Sequence, residues 1–155
     1  NVNGWSKRRN EIATIIAREK PDIVCLQETK LDKTNLAYTP TCYKVALVSR
    51  NKFGGGVCTM VRDDWVFTIT RTTSKNTAEI LTNTIDKLMV TNVYFPPRSS
   101  DSPTAEVRED VMEILDMSSE KHIITGDWNA HGIATRRTKE SDDRDDWTRA
   151  VCTWC

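Results

Sequence analysis

The sequence predicts an α/β protein in which two β-sheets pack face to face with helices on the outside. Segments of two periodicities alternate along the 155 residues, some helical in spacing, others short apolar or alternating runs. The middle of the chain is rich in Val, Ile, Thr and aromatic residues, interrupted by short turn signals. Strand hairpins mixed in this order with helical segments suggest two packed sheets flanked by helices. A plainer α+β domain is compatible with the same pattern.

The elements follow in order. From Ser6 to about Arg18, Ile12, Ile15 and Ile16 fall on one helical face, with Arg8, Arg9 and Arg18 toward water and Ser6 as the N-cap. Pro21-Asp22 ends this helix, and Ile23-Val24-Cys25-Leu26 reads as a short buried strand. Further strands are expected over Tyr43 to Ser49, Gly56 to Val61, Val66 to Thr72, Glu79 to Ile85 and Leu88 to Tyr94. Asp63-Asp64 and Asp86-Lys87 make tight connections. Gly54-Gly55-Gly56 lacks the Lys-Ser/Thr of a phosphate loop and precedes a strand, so it reads as a bend at a strand start. A second helix spans about Thr104 to Met117, with Val107, Val111, Ile114 and Leu115 as its stripe and Ser102-Pro103 as its start signal. Ile123-Ile124-Thr125 is another buried strand, and a polar loop, Gly126 to Asp145, leads to a last helix.

Length and composition suit one domain, here residues 1–155, with 38% hydrophobic and 28% charged residues arguing against disorder. The 22 basic and 22 acidic residues cancel, so a phosphate ligand must be held by a local site rather than by bulk charge. No apolar run reaches the roughly 18–20 residues of a membrane helix. Cys152 and Cys155 form a CxxC without a second CxxC or a His pair. Reduced cysteines in an intracellular compartment are therefore the simpler reading of Cys25, Cys42, Cys58, Cys152 and Cys155. Both ends read as cut, so the chain is expected to be a piece of something longer.

Four motifs lie at strand ends, where open sheets place ligands. Asn1-Val2-Asn3-Gly4 sets two amides before a Gly and alone reads as a turn. Gln27-Glu28-Thr29-Lys30 puts a carboxylate after a strand, able to bind a hard cation or simply to be solvated. Asn92-Val93-Tyr94 offers a phenol for a phosphate or for the core. Thr125-Gly126-Asp127-Trp128-Asn129-Ala130-His131 is the most specific. Asp127 and Asn129, two apart on an extended backbone, share a face and can orient a water and steady a phosphoryl oxygen.

Together these motifs closely resemble the endonuclease/exonuclease/phosphatase superfamily. Asn-Val-Asn-Gly, Gln-Glu-Thr-Lys after Pro-Asp-Ile-Val-Cys-Leu, and Gly-Asp-Trp-Asn-Ala-His are most similar to the apurinic-endonuclease-like domain of non-LTR (LINE-type) retrotransposons. The resemblance implies a four-layered α/β sandwich of two packed mixed sheets flanked by helices, incomplete at the C-terminus. It implies a Mg²⁺-dependent DNA endonuclease, with Mn²⁺ as a substitute, that nicks target DNA for retrotransposition. Glu28 would be the main metal ligand, with Asn3 a weaker one because repair relatives carry Asp there. Asn1 would orient Asp127, which positions or deprotonates the attacking water. Asn129 would hold the scissile phosphate, and Tyr94 would donate to a phosphate oxygen or help order the site. His131 matches a family His without an assigned role, and His122 reads as structural or exposed. The family's late Ser-Asp-His triplet is missing, so the fragment itself is expected to be inactive.

The implied partner is DNA, with a reverse transcriptase in the same parent polypeptide, no membrane, and an intracellular, nuclear setting. Lys30, two residues from Glu28, is the best phosphate contact among Lys7, Arg8, Arg9, Lys33, Arg50, Lys52 and Arg98. Asp142, Asp143, Asp145 and Asp146 sit in a mixed-charge segment that reads as solvated surface. Two alternatives stand beside this reading: a superfamily phosphatase acting on inositol phosphates or phospholipids, and a degenerate, non-enzymatic retroelement remnant.

Overall fold

The computed structural model describes residues 1–31, 39–50, 54–74, 78–97, 105–116 and 121–129. The first helix, α1, runs over Trp5–Glu19. Its N-cap is Gly4 at φ +103°, not Ser6, and no side chain caps it. The reason lies outside the helix. Gly4 N–H and Trp5 N–H donate to the carbonyls of Glu28 and Thr29 at 2.8 and 2.7 Å, so a neighbouring loop satisfies donors that a Ser hydroxyl would otherwise take. The buried stripe is Trp5, Ile12 and Ile16, while Ile15 is 45% exposed and leaves the apolar face assigned to it. Lys20 ends the helix in a left-handed C-cap, its N–H on Ile16 O.

Three strands form the first sheet: β1 (Ile23–Gln27), β2 (Tyr43–Val48) and β3 (Val57–Arg62). Their order is β1-β3-β2, antiparallel throughout. In β1 only Leu26 and Gln27 are fully buried, because the strand lies at one end of this order. The second sheet has the order β4-β5-β6-β7, from β4 (Phe67–Ser74), β5 (Glu79–Ile85), β6 (Leu88–Tyr94) and β7 (His122–Asp127). The β5–β6 hairpin closes through Asp86-Lys87, with Asp86 at φ +52°. β7 runs parallel to β6, which requires a crossover, and α2 (Ala105–Asp116) lies within it. The second sheet is therefore mixed and the first is not. β7 also extends through Gly126-Asp127, residues the sequence reading gave to a loop. Gly126 pairs with Val93, and a Cβ there would lie 2.0 Å from Val93 O, so only Gly lets the strands pair to this end.

Side-chain alternation along the strands builds the layers. In β3, Cys58 and Met60 pack with Trp5, Ile12, Ile16 and Leu26 under α1. Val57 and Val61 point the other way and meet Leu81, Tyr94, Ile85 and Val90 of the second sheet. Ile80 and Val93 face outward again, onto Ile114 of α2. The order α1, sheet, sheet, α2 is the four-layered α/β sandwich. Arg71 of β4 ties α2 down, meeting Glu113 at 2.6 Å.

Among the described residues no helix is long and apolar enough to cross a membrane. Cys25, Cys42 and Cys58 are free, and burial raises the thiols of Cys25 and Cys58 to about 11 and about 12. Cys152, Cys155, the last helix, His131, the acidic residues from Asp142 onward, Lys33, Lys52 and Arg98 lie outside the described residues.

His122 is half-buried and ends a chain of hydroxyls, with Thr91 Oγ1 at 2.8 Å from its Nε2 and Thr82 Oγ1 at 2.9 Å beyond. Burial lowers its pKa from 6.5. A depressed folded value means the neutral ring is favoured in the fold, so its stabilisation holds above about 6.5 and is lost as pH falls through the lower folded value. Thermal melts between about pH 8 and pH 5 should show a larger loss of Tm in the wild type than in His122→Gln, and parallel profiles would contradict this.

Candidate active site

The ends of β1, β6 and β7 lie together, and the segments that leave them carry the residues singled out in the sequence. After β1 the backbone turns sharply. Glu28 and Lys30 take φ +55° and +52°, and Asn3 in the facing segment takes +46°. Non-glycine residues pay strain of about 1–3 kcal/mol each in such conformations, which persist only where surrounding bonds over-determine them. Here those bonds are visible. Val2 N–H donates to Gln27 O at 2.9 Å, and Gly4 and Trp5 continue the ladder onto Glu28 and Thr29.

Asn1 is the link between the two halves of the site. Its Nδ2 donates to Asp127 Oδ2 at 2.6 Å, and its main-chain nitrogen donates to Gln27 Oε1 at 3.0 Å. Its own Oδ1 accepts the Asn3 N–H at 3.0 Å, which fixes the amide's orientation. Asp127 accepts a second bond at Oδ1, from Asn129 N–H at 3.1 Å. Asn129 is left-handed at φ +45°, so it meets Asp127 through a tight turn rather than by sharing the face of an extended strand. Asn129 Nδ2 donates to Phe95 O at 2.6 Å, leaving its second N–H for another acceptor.

Lys30 does not reach outward as a surface charge. Its Nζ donates to Asn3 Oδ1 at 2.7 Å and lies 3.5 Å from Glu28 Oε1. A cation thus already sits against the two oxygens expected to hold a metal. Among the described residues no group of three or more His, Cys, Asp and Glu gathers as a metal site. Tyr94, the last residue of β6, pairs in register with Asp127. Burial and then the negative charge of Glu28 raise its pKa, so the phenol stays protonated and available as a hydrogen-bond donor. Arg50 pulls the other way, and Glu79 and Asp127 add to the rise.

The structure brings Asn1, Asn3, Glu28, Lys30, Tyr94, Asp127 and Asn129 to one end of the two sheets. Of the other basic candidates, Arg8 pairs with Glu11 and Arg50 with Glu79. Gln27 and Asn92 lie in the motifs read from the sequence without a role assigned to them, and Glu79 appears there only as the start of a strand. Gln27 Nε2 donates to Asn92 Oδ1 at 2.8 Å, and Asn92 Nδ2 reaches the carbonyls of Leu26 and Cys58 at 3.2 and 3.0 Å. A polar side chain inside an apolar strand was the available signal for Asn92, and a carboxylate opening an apolar strand was the signal for Glu79.

The model of the Endonuclease/Exonuclease/phosphatase family matches residues 1–153. Among solved structures, the 3' phosphatase NExo from Neisseria, bound to product DNA hairpin, is similar at TM-score 0.67 and 21% identity over 99% of this chain and 68% of that one. An AP endonuclease from Archaeoglobus fulgidus is similar at TM-score 0.63 and 17% identity, covering 99% of this chain and 68% of its own. The endonuclease domain of TRAS1, a telomere-specific non-LTR retrotransposon, gives TM-score 0.60 and 18% identity over 93% and 64%. Other similar structures are spanned to little more than half their length, 56%. At these identities the likeness shows the fold. No curated protein matches the sequence at a significant level.

Gly56 sits behind the Glu28 turn at φ +91°, where a Cβ would lie 2.7 Å from Thr29 Oγ1. Gly56→Ala should lower stability by about 1–3 kcal/mol. Urea unfolding measures this, and an unchanged midpoint would mean the turn relaxes freely.

Proposed function

The chain belongs to the endonuclease/exonuclease/phosphatase family, and from that premise we propose that it is the metal-dependent DNA-nicking domain of a LINE-type mobile element. The observation that carries this is the meeting of Asp127, held by Asn1 and Asn129, with Glu28, Asn3 and Tyr94 at one end of the sandwich. The likeness to the TRAS1 endonuclease domain supports the retroelement branch. On this reading the parent polypeptide also carries a reverse transcriptase and works on nuclear DNA.

Mg²⁺ fits Glu28 and Asn3 because their oxygens already converge on the Lys30 ammonium. One or two protein oxygens with water completing the shell suit this ion, and Mn²⁺ makes similar demands. When bound, the ion neutralises charge building on the phosphate and the leaving oxygen. Asp127 receives two N–H donors, and its remaining lone pairs can take the proton of an attacking water. Asn129 turns its second N–H to a phosphoryl oxygen, and Tyr94 donates its phenolic proton to another. His122 takes no part, being bonded to Thr91.

Plasmid relaxation tests the reading. In the parent protein, nicking of supercoiled DNA should need Mg²⁺ and stop with EDTA, and Asp127→Ala should slow it by about 10²–10⁴-fold, whereas residues 1–155 alone are expected to be inactive. Release of phosphate from a phosphoinositide with plasmid left intact would overturn it in favour of a phosphatase. An ion held by Glu28 and Asn3 would take the place of the Lys30 ammonium, which would then be free to meet the DNA backbone. Lys30→Gln should flatten the slope of log affinity against log salt by about one unit, and an unchanged slope would remove Lys30 from the phosphate contacts.

A further inference from the structure

Behind the Glu28 turn lies a carboxylate that the chemistry above does not use. Glu79, the first residue of β5, is fully buried. Its Oε2 accepts the Gly56 N–H at 2.6 Å, and its Oε1 lies 3.3 Å from Arg50 Nε. Gly55 is so close that a Cβ there would lie 2.1 Å from Glu79 Oε1. The same two glycines turn their carbonyls toward the site. Thr29 N–H donates to Gly56 O at 3.0 Å, and Lys30 N–H donates to Gly55 O at 2.9 Å. These bonds flank the left-handed turn that presents Glu28.

We infer that Glu79 is a positioning residue, which pins the Gly55-Gly56 loop and through it the Thr29 and Lys30 amides, and so fixes the Glu28 carboxylate for a metal ion. The inference rests on the reading of Glu28 as a metal ligand. A buried ion pair is poor economy for stability alone, since apolar residues of similar volume often serve as well or better. What an apolar residue cannot do is accept the Gly56 N–H. That bond sets the height of a loop with no side chains of its own to hold it. The Gly-Gly-Gly run, legible in the sequence only as a bend, is the part that lets a backbone lie flat between a carboxylate on one side and the Glu28 turn on the other.

Glu79→Met tests this, because it keeps roughly the volume but removes the oxygen that accepts the Gly56 N–H. Amide hydrogen exchange should quicken by about tenfold at Gly56, Thr29 and Lys30, while amides in the middle of β5 and β6 keep wild-type rates. Mg²⁺ affinity, read by titrating the metal against backbone amide shifts, should fall by about tenfold. Wild-type exchange at the three amides, or a uniform quickening across both sheets, would overturn the inference and leave Glu79 a residue of general stability. If wild-type protein binds no Mg²⁺, the role given to Glu28 fails, and the exchange rates still decide whether Glu79 holds the turn. Gly55→Ala is the second variant, since its Cβ must displace the Glu79 carboxylate. It should give the same local pattern, and wild-type rates at Thr29 and Lys30 would again count against the inference.

Discussion

A buried amide side chain bonds the two sheets together beneath the candidate site. Asn92, fully buried in β6, bonds across the gap to Gln27 and to two carbonyls of the first sheet. Apolar contacts hold the layers together but tolerate sliding. A buried amide with three partners does not, because each lost bond leaves a polar group without water. The bond to Gln27 passes the constraint on, since Gln27 holds the main-chain nitrogen of Asn1, and Asn1 holds Asp127. The acid at the surface is thus placed by a line of amides that begins in the core.

Around that line the backbone is bent where side chains are needed. Glu28, Lys30, Asn3 and Asn129 all occupy the left-handed region, and all lie within the site. Elsewhere among the described residues the same conformation occurs in non-glycine residues at only two places, a helix end at Lys20 and a hairpin at Asp86. Concentrated strain of this kind aims side chains in directions that a regular strand end would not reach. The main-chain ladder from Val2 to Trp5 and the carbonyls of Gly55 and Gly56 hold it from two sides.

Much of this was legible in the sequence, for identifiable reasons. β5 and β6 begin and end where their apolar alternation and the Asp86-Lys87 turn put them, because a hairpin's signals are local. The residues of the candidate site stand out in the sequence as short motifs at strand ends. Features set by distant partners do not. Ser6 looks like a cap until a loop after β1 supplies the carbonyls that make one unnecessary. Ile15 fits the helical stripe by spacing, but the sheet beneath α1 meets Trp5, Ile12 and Ile16 instead. Gly126 reads as a loop residue until Val93 is seen to lie against it. Lys30 reads as a surface cation because nothing local announces Asn3, twenty-seven positions earlier, as its acceptor.

The bond between Asn1 and Asp127 spans 126 positions, and the bond between Gln27 and Asn92 spans 65. No short stretch of the chain contains the whole site. Its acid and its orienting amide become neighbours only after α2 has crossed the sheet, β7 has paired with β6, and the two sheets have docked. Contacts of such long range form late, since their loop-closure entropy must be met before they return anything. A chain caught part-way through synthesis or opened by local unfolding holds these residues apart. Whatever chemistry the assembled site performs is withheld until folding is complete.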